Sequence, residues 1–313
     1  MRVHLLAGRA QYARHLQAIF KHLPAALRGT ELLGVQATTR DIGRHDVVMV
    51  GGWSDIGRCG SHRLIYVEHG AGQSYNGSPE SANSYGYAGT TQHPPNVIGY
   101  IAPRQDVADS WLRPAFAAGC PAIDACSTAH YDGPPLAAIT FHWGADHPLC
   151  AEAGTALGHW QPHLGAMVAH VRACGFEPVG HWHPRSPTMR AVWRELGVTS
   201  IDDVGCVLAA CSLLIADNTS VMYEAAALGR PVLALNAPWY RRNVHHGLRF
   251  WSHVPGWQVD DIDAFVALDL SAYVAEDWSR PERLHANAYC FAPNLGHAGP
   301  LAAAWIAELV ASL

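Results

Sequence analysis

The segment 212–235 carries the most informative chemistry in the chain. An apolar run over residues 213–216 predicts a buried strand. Four polar residues that cap helices well follow it directly: Asp217, Asn218, Thr219 and Ser220. The residues after them predict a helix that stops at Gly229, and residues 231–235 predict a second buried strand. The pattern is a strand–helix–strand unit with a polar turn at the carboxyl end of its first strand.

This polar turn has the composition of a phosphate site. Open α/β sheets bind ligands at the carboxyl ends of their strands. The free N–H groups at the start of the predicted helix, together with the hydroxyls of Thr219 and Ser220, suit an anion such as phosphate. The alternative is that the same residues only cap the helix, which is their commonest role.

Glu224 separates these two interpretations. A capping box needs Glu three residues after the capping Ser or Thr, whereas Glu224 lies four residues after Ser220 and five after Thr219. Glu224 therefore shares a helix face with Ser220. A carboxylate one turn behind a phosphate site can accept hydrogen bonds from ribose hydroxyls, so we interpret the turn as part of a nucleotide site.

Two of the 20 histidines stand out by their position. His69 follows a predicted strand and precedes Gly70 and the polar segment 71–95, which is long enough to be a functional loop. His183 follows another predicted strand. His181 and His183 have no carboxylate or cysteine near them in the sequence, so the spacings typical of metal sites are missing and we expect no metal.

Composition limits the function classes. The 313 residues are enough for two domains of about 120 to 170 residues each. A formal charge of −5 leaves no electrostatic footprint for nucleic acid. The eight cysteines form no C-x-x-C pair, and we expect them to be reduced and buried in a cytoplasmic protein. The chain has no run of 18 apolar residues and no apolar N-terminal run typical of a signal peptide, so we expect no membrane span.

Strands alternate with helices along the chain, which predicts an α/β protein. Buried strands are expected at 3–7, 47–50, 64–67, 97–101, 136–141 and 177–181. Less regular segments predict helices at 11–27, 107–118 and 301–313 and a strand at 32–37. Beyond Trp239 the pattern weakens until the last helix. The glycine-rich fingerprints of dinucleotide and P-loop sites are missing.

Two successive alternating sets predict two facing Rossmann-like domains with the active site in the cleft between them. We place an N-terminal acceptor domain at 1–125, a linker at 126–135, a C-terminal nucleotide-donor domain at 136–295, and a helix at 296–313 that crosses back. The turn Gly8-Arg9 after the first strand and the turn Gly51-Gly52 after the third are further candidates to line the cleft. Arg241, Arg242, His245 and His246 form a local basic group.

Several motifs together carry a family resemblance. His69-Gly70, His183-Pro184 and the stretch 217–224 occur in that order, and the chain resembles the CDP-glycerol glycerophosphotransferase family of the teichoic-acid type, within the GT-B glycosyltransferase superfamily. The segment 140–143, Thr-Phe-His-Trp, is similar to the start of that family's donor domain. Gly296-His297-Ala298 is similar to its closing motif. The resemblance implies a GT-B fold.

The resemblance also implies roles for single residues. Asn218, Thr219, Ser220 and His183 would hold the donor phosphates, and Glu224 the donor ribose. His69 would be the general base that deprotonates an acceptor hydroxyl, because imidazole titrates near working pH. The remaining assignments are His142, Trp143 and Arg9 to the donor base or the cleft, and Gln73 and Tyr75 to the acceptor.

The chain departs from this family after His69-Gly70. Where the family usually has a Pro-Leu-Lys-like continuation, residues 71–75 are Ala-Gly-Gln-Ser-Tyr, which offers neutral hydrogen-bonding groups instead of a charge. We therefore predict a metal-independent transferase, without a cofactor, that moves a glycosyl group from a UDP-, GDP- or CDP-linked donor to an acceptor hydroxyl. The alternatives are transfer of glycerol phosphate, a sugar-nucleotide epimerase or hydrolase, and a non-catalytic nucleotide-binding module.

Overall fold

Parallel strands and helices alternate along the described part of the chain. The computed structural model describes residues 1–71, 94–124, 126, 133–143, 155–184, 186–240, 249–291 and 294–313. Their contacts divide the chain into two units. The first unit contains the described residues up to position 124 together with Cys290–Leu313, and the second contains the described residues of Cys126–Tyr289.

The strands are mostly short and apolar. In the first unit they are β1 (Val3–Ala7), β2 (Arg28–Leu33), β3 (Val47–Val50), β4 (Arg63–Val67), β5 (Val97–Ala102) and β6 (Ala115–Ala117). In the second unit they are β7 (Leu136–Phe141), β8 (Glu177–Trp182), β9 (Thr199–Ser200), β10 (Cys211–Ala216), β11 (Val232–Leu235) and β12 (Trp257–Val259). Every pairing recorded between them is parallel, and the strands covered on both faces are mainly apolar.

Most helices lie between strands along the chain, and the last four follow the last strand. The helices are α1 (Ala10–Phe20), α2 (Trp53–Ile56), α3 (Gln105–Asp109), α4 (Pro121–Asp124), α5 (Leu157–Trp160), α6 (Leu164–Ala173) and α7 (Met189–Glu195). The series continues with α8 (Val204–Ala210), α9 (Val221–Ala227), α10 (Ile262–Val266), α11 (Leu270–Ala275), α12 (Arg280–Cys290) and α13 (Ala298–Ala311). None of these helices combines the length and the apolar character needed to cross a lipid bilayer.

Strand order gives each sheet one point where the direction of winding reverses. The first sheet runs β2-β1-β3-β4-β5-β6, so its order reverses between β1 and β3. The second runs β12-β11-β10-β7-β8-β9 and reverses between β7 and β10. At such a switch point the two connections leave on opposite faces of the sheet, which opens a crevice at the carboxyl ends of the strands.

The last helix belongs to the first unit. Ala302 and Ile306 of α13 are fully buried and pack in the same core as Leu16 and Ile19 of α1. The Asp124 carboxylate accepts a hydrogen bond of 2.6 Å from the backbone N–H of Gly299, at the start of α13. The chain thus returns to its N-terminal unit, as predicted.

Two predicted helices are wrong in extent. Helix 11–27 ends at Phe20, and the turn that follows leads into Pro24, whose ring disfavours a helical residue before it. Helix 107–118 is replaced by α3 and the strand β6, because Pro114 removes a backbone donor and restricts the preceding residue. The predicted strand 32–37 lies instead at Arg28–Leu33.

Two further expectations need correction. Beyond Trp239 the structure has regular helices: Asp261 caps α10 and Asp269 caps α11 through carboxylate hydrogen bonds to backbone N–H groups. The cysteines are also not uniformly buried. Among the described residues Cys59, Cys120, Cys211 and Cys290 are buried, Cys126 and Cys174 are intermediate, and Cys206 on α8 is exposed.

Candidate functional site

Three neighbouring strands of the second sheet end in the residues that the sequence singled out. His142 and Trp143 follow β7, His183 follows β8, and the turn 217–220 follows β10. These strands are adjacent in the order β10-β7-β8, and the switch point lies between β10 and β7. The fold therefore brings these predicted residues to one edge of one sheet.

Asp217 ties the ends of β10 and β7 together. Its carboxylate is fully buried and accepts hydrogen bonds of 2.7 Å from the His142 N–H, the Thr155 hydroxyl and the Ala156 N–H. Burial raises the pKa of Asp217 to about 6, against the opposing effect of these donors. The alternative of plain capping does not describe Asp217, whose carboxylate oxygens bind the residue after β7 and two residues before α5.

The turn after Asp217 leads directly into α9. Ser220 occupies the N-cap position with helical backbone angles, and its side chain makes no capping hydrogen bond. Thr219 is buried, and its hydroxyl accepts a long hydrogen bond of 3.4 Å from the Val221 N–H. Capping is therefore weak here, which is consistent with another use for the hydroxyls.

Asn218 and Glu224 are the most deeply buried polar residues of this turn and helix after Asp217. Asn218 is 2% exposed, and its side-chain carbonyl oxygen accepts no hydrogen bond from the described residues. Glu224 is 3% exposed within α9. Both polar side chains are thus buried, at the turn and in the first turn of α9.

Aromatic rings gather at the ends of β7 and β8. The His142 and His183 ring centroids lie 5.1 Å apart, and the Trp143 ring lies 5.5 Å from His142 and 5.9 Å from His183. His142 is buried, whereas His183 and Trp143 are partly exposed. His181 lies within the sheet, where its Nδ1 is 2.7 Å from the Thr140 hydroxyl. This three-ring cluster offers an aromatic face together with imidazole nitrogens.

Arg249 supports the same edge of the sheet. No role was predicted for it from the sequence. It is 1% exposed, donates to the Asn236 side chain and the Leu235 carbonyl, and lies 4.8 Å from the Trp251 ring. Its charge opposes the rise in the pKa of Asp217. An isolated arginine in an irregular stretch gives no sequence signal for this role.

His69 lies in the first unit, at the carboxyl end of β4. Its ring packs edge-on against Tyr12 with centroids 4.9 Å apart, and its Nδ1 lies 4.0 Å from a carboxylate oxygen of Glu68. Glu68 is 7% exposed and accepts a hydrogen bond from the Tyr100 hydroxyl. Burial raises the pKa of Glu68 to about 7. From the sequence, a role was predicted for His69 alone. The signal that could have indicated Glu68 is its position directly before His69.

The turns after β1 and β3 lie beside this region of the first sheet. Arg9 is the N-cap residue of α1 and is partly exposed. The Gly8 N–H donates to the Asp55 carboxylate at 3.0 Å. A Cβ on Gly52 would lie 2.3 Å from a ring carbon of Tyr12, so the close approach of this turn to α1 requires glycine. Arg9 is thus placed at the end of β1, in a different unit from the three-ring cluster.

The other predicted positions lie outside the described residues. They are the acceptor candidates Gln73 and Tyr75 and the basic group of Arg241, Arg242, His245 and His246.

Comparison with known proteins identifies the fold. No protein-family model and no curated protein matches the chain. The wall teichoic acid polymerase TagF matches with a TM-score of 0.63 and 12% identity, over 99% of this chain and 88% of that chain. S. aureus MnaA, in a co-structure with UDP, gives 0.64 at 15% identity over 100% and 98%. The UDP-GlcNAc 2-epimerase from Neisseria meningitidis, bound to UDP-GlcNAc, gives 0.55 at 12% identity over the full length of both chains. The chain has the two-domain α/β architecture of the GT-B fold, as its motifs predicted.

Proposed function

We propose that this protein is a transferase that takes a glycosyl group from a nucleotide-sugar donor and passes it to an acceptor hydroxyl. One observation carries the proposal: His142 with Trp143, His183 and the turn 217–220 end three adjacent strands at the switch point of the second sheet. Ligands of doubly wound sheets bind at that point.

Each of the side chains at these strand ends can bind a part of a nucleoside diphosphate. The hydroxyls of Thr219 and Ser220, the Asn218 side chain and the His183 imidazole would bind the phosphates, and the Glu224 carboxylate would accept hydrogen bonds from the ribose. Trp143 offers a face on which the base can stack. As the bond to the transferred group breaks, negative charge grows on the departing phosphate. Hydrogen-bond donors that the folded site already holds in position before the reaction stabilise that charge.

The structural neighbours support a nucleotide ligand. Two of them are described with UDP or UDP-GlcNAc, and a third is a polymerase of wall teichoic acid. In the first unit, His69 is our candidate general base for the acceptor hydroxyl. Its ring is partly exposed and is held at a strand end by Tyr12, which suits proton abstraction from a bound substrate.

Two other reactions have support of their own. The polymerase neighbour favours transfer of glycerol phosphate from a CDP-linked donor. The epimerase neighbour, together with the acid–base pair of Glu68 and His69, favours a reaction on the nucleotide sugar alone, by epimerisation or hydrolysis. The three reactions share the same donor site and differ in whether an acceptor is needed.

Nucleotide binding is the first test. We expect UDP, GDP or CDP, or one of their sugar or glycerol conjugates, to raise the melting temperature of the full chain, because a ligand of the folded state stabilises it by mass action. Ser220→Ala and Glu224→Gln should reduce that rise at a given ligand concentration. Ser212→Ala, at the other end of β10, and Glu195→Gln, on the exposed face of α7, are matched controls that should keep it. Equal shifts in all four variants would contradict the assignment of the site.

Donor turnover separates the reactions. Release of the nucleotide that rises when an acceptor is added, and that His69→Ala abolishes, supports transfer. Turnover that is indifferent to any acceptor supports the epimerase or hydrolase. Binding without turnover, unchanged in His69→Ala, supports the non-catalytic module.

A further inference from the structure

The turn that carries His69 is held from several sides. The Glu68 carboxylate accepts hydrogen bonds from the Tyr100 hydroxyl and from the His69 backbone N–H. Gly70 has a φ of +70°, a conformation that glycine adopts without strain. Arg104 donates from Nη1 to the Ala71 carbonyl at 2.8 Å. Backbone and side-chain contacts thus define the path of residues 68–71.

Tyr100 gives this arrangement its rigidity. Its ring is fully buried and stacks between Tyr66, at 5.6 Å, and Trp111, at 4.4 Å. A ring packed in this way can move little, so its hydroxyl stays in one place and holds the Glu68 carboxylate with it. Glu68 is therefore a fixed group rather than a mobile side chain.

The groups that surround His69 have different charges. Glu68 lies 4.0 Å from the His69 Nδ1, and Arg104 faces Glu68. On α1, Tyr12 and His15 contact the His69 ring, and Arg14 lies close to His15. Burial lowers the pKa of His15 well below its usual value, so His15 is neutral near pH 7. A carboxylate at this distance from an imidazole favours the protonated ring.

We infer that Glu68 is a positioning residue for His69: its carboxylate fixes the turn that presents the imidazole and stabilises the imidazolium that forms when His69 takes a proton. The inference rests on the role of general base proposed for His69. Burial raises the pKa of Glu68 to about 7, so the charge of the carboxylate that faces His69 changes near neutral pH. The pair, and not His69 alone, would set the pH at which the base is active.

The titration of His69 tests this directly and needs no substrate. In the full chain labelled with isotopes in histidine, the NMR signal of His69 is identified by its loss in His69→Gln. We expect its titration midpoint in Glu68→Gln to lie about one pH unit below that of the wild type, because the stabilising carboxylate is gone. Tyr100→Phe should lower the midpoint by less, since it keeps the carboxylate but removes the donor that favours its ionised form.

The control is Glu31→Gln, which removes an exposed carboxylate from β2 in the same unit and should leave the midpoint unchanged. A midpoint for His69 that is the same in Glu68→Gln and in the wild type, with both proteins folded, overturns the inference. If Glu68→Gln fails to fold, an unchanged midpoint in Tyr100→Phe overturns it instead. Nucleotide binding by the wild type is a separate readout: its absence would overturn the proposed function and leave the titration result standing.

Discussion

Buried carboxylates organise both regions of interest at the residue scale. Asp217 joins the ends of two strands in the second unit, and Glu68 holds the turn of His69 in the first. In each case burial raises the pKa of the acid, and hydrogen bonds from neighbouring elements keep it in place. Polar groups buried in this way are costly unless they are paired, so their positions are strongly determined.

Replacing Asp217 by Asn tests whether it braces the sheet edge. The amide has one acceptor oxygen, so its NH₂ group would face at least one of the three donors, and a buried donor without an acceptor costs about 1–3 kcal/mol. We expect Asp217→Asn to lower the free energy of unfolding by that amount in urea denaturation. Asp202→Asn, at an exposed position, should change it by less than about 0.5 kcal/mol. Equal effects of the two substitutions would show that Asp217 is not a structural tie.

At the scale of elements, the sequence predicts well where a strand has both faces covered. The predicted strands 3–7, 47–50 and 136–141 are confirmed to the residue, because short, mainly apolar runs are typical of strands covered on both faces. The edge strand β2 was misplaced and the edge strand β6 was missed, since a strand with one neighbour and partial exposure lacks that signal. Pro24 and Pro114 limit how far α1 and α3 extend.

In the candidate site, too, some features could be predicted from the sequence and others could not. The residues that end strands could be found in the sequence, because parallel strands bring their carboxyl ends to one edge. Their partners could not: Thr155 lies 62 residues from Asp217, and Tyr100 lies 32 residues from Glu68. No periodicity links such pairs, and only the packed structure shows them. The roles of the site residues remain predictions.

The packing of α13 on α1 gives a prediction at this scale. A Cβ on Gly299 would lie 2.6 Å from the Ala18 carbonyl oxygen, so Gly299→Ala must push the two helices apart. Forced overpacking of this kind costs about 1–3 kcal/mol, and we expect the unfolding free energy to fall by that much. Gly165→Ala on α6 is the control: its nearest neighbour would be 4.0 Å away, and alanine favours the helix. A loss of stability no greater in Gly299→Ala than in Gly165→Ala would contradict the close packing.

The whole molecule combines two differently wound sheets in one chain. Identities of 11–15% to solved GT-B structures are compatible with TM-scores of 0.55–0.66, because the fold depends on the pattern of buried strands and helices more than on particular residues. Function depends on the residues at the carboxyl ends of the strands. The proposed nucleotide site lies at the carboxyl ends of β7, β8 and β10.

Hydrogen exchange measured by mass spectrometry, with and without the nucleotide that binds best among UDP, GDP and CDP, tests this location most directly. A bound nucleotide should slow exchange in peptides that cover 140–143, 181–184 and 217–227, because it shields the turns and restrains their opening. Peptides that cover β2 and α13 should exchange unchanged. Protection confined to the turns at 8–9 and 51–52 of the first sheet, or a bound nucleotide with no protection at 217–227, would show that the nucleotide does not bind at the proposed site.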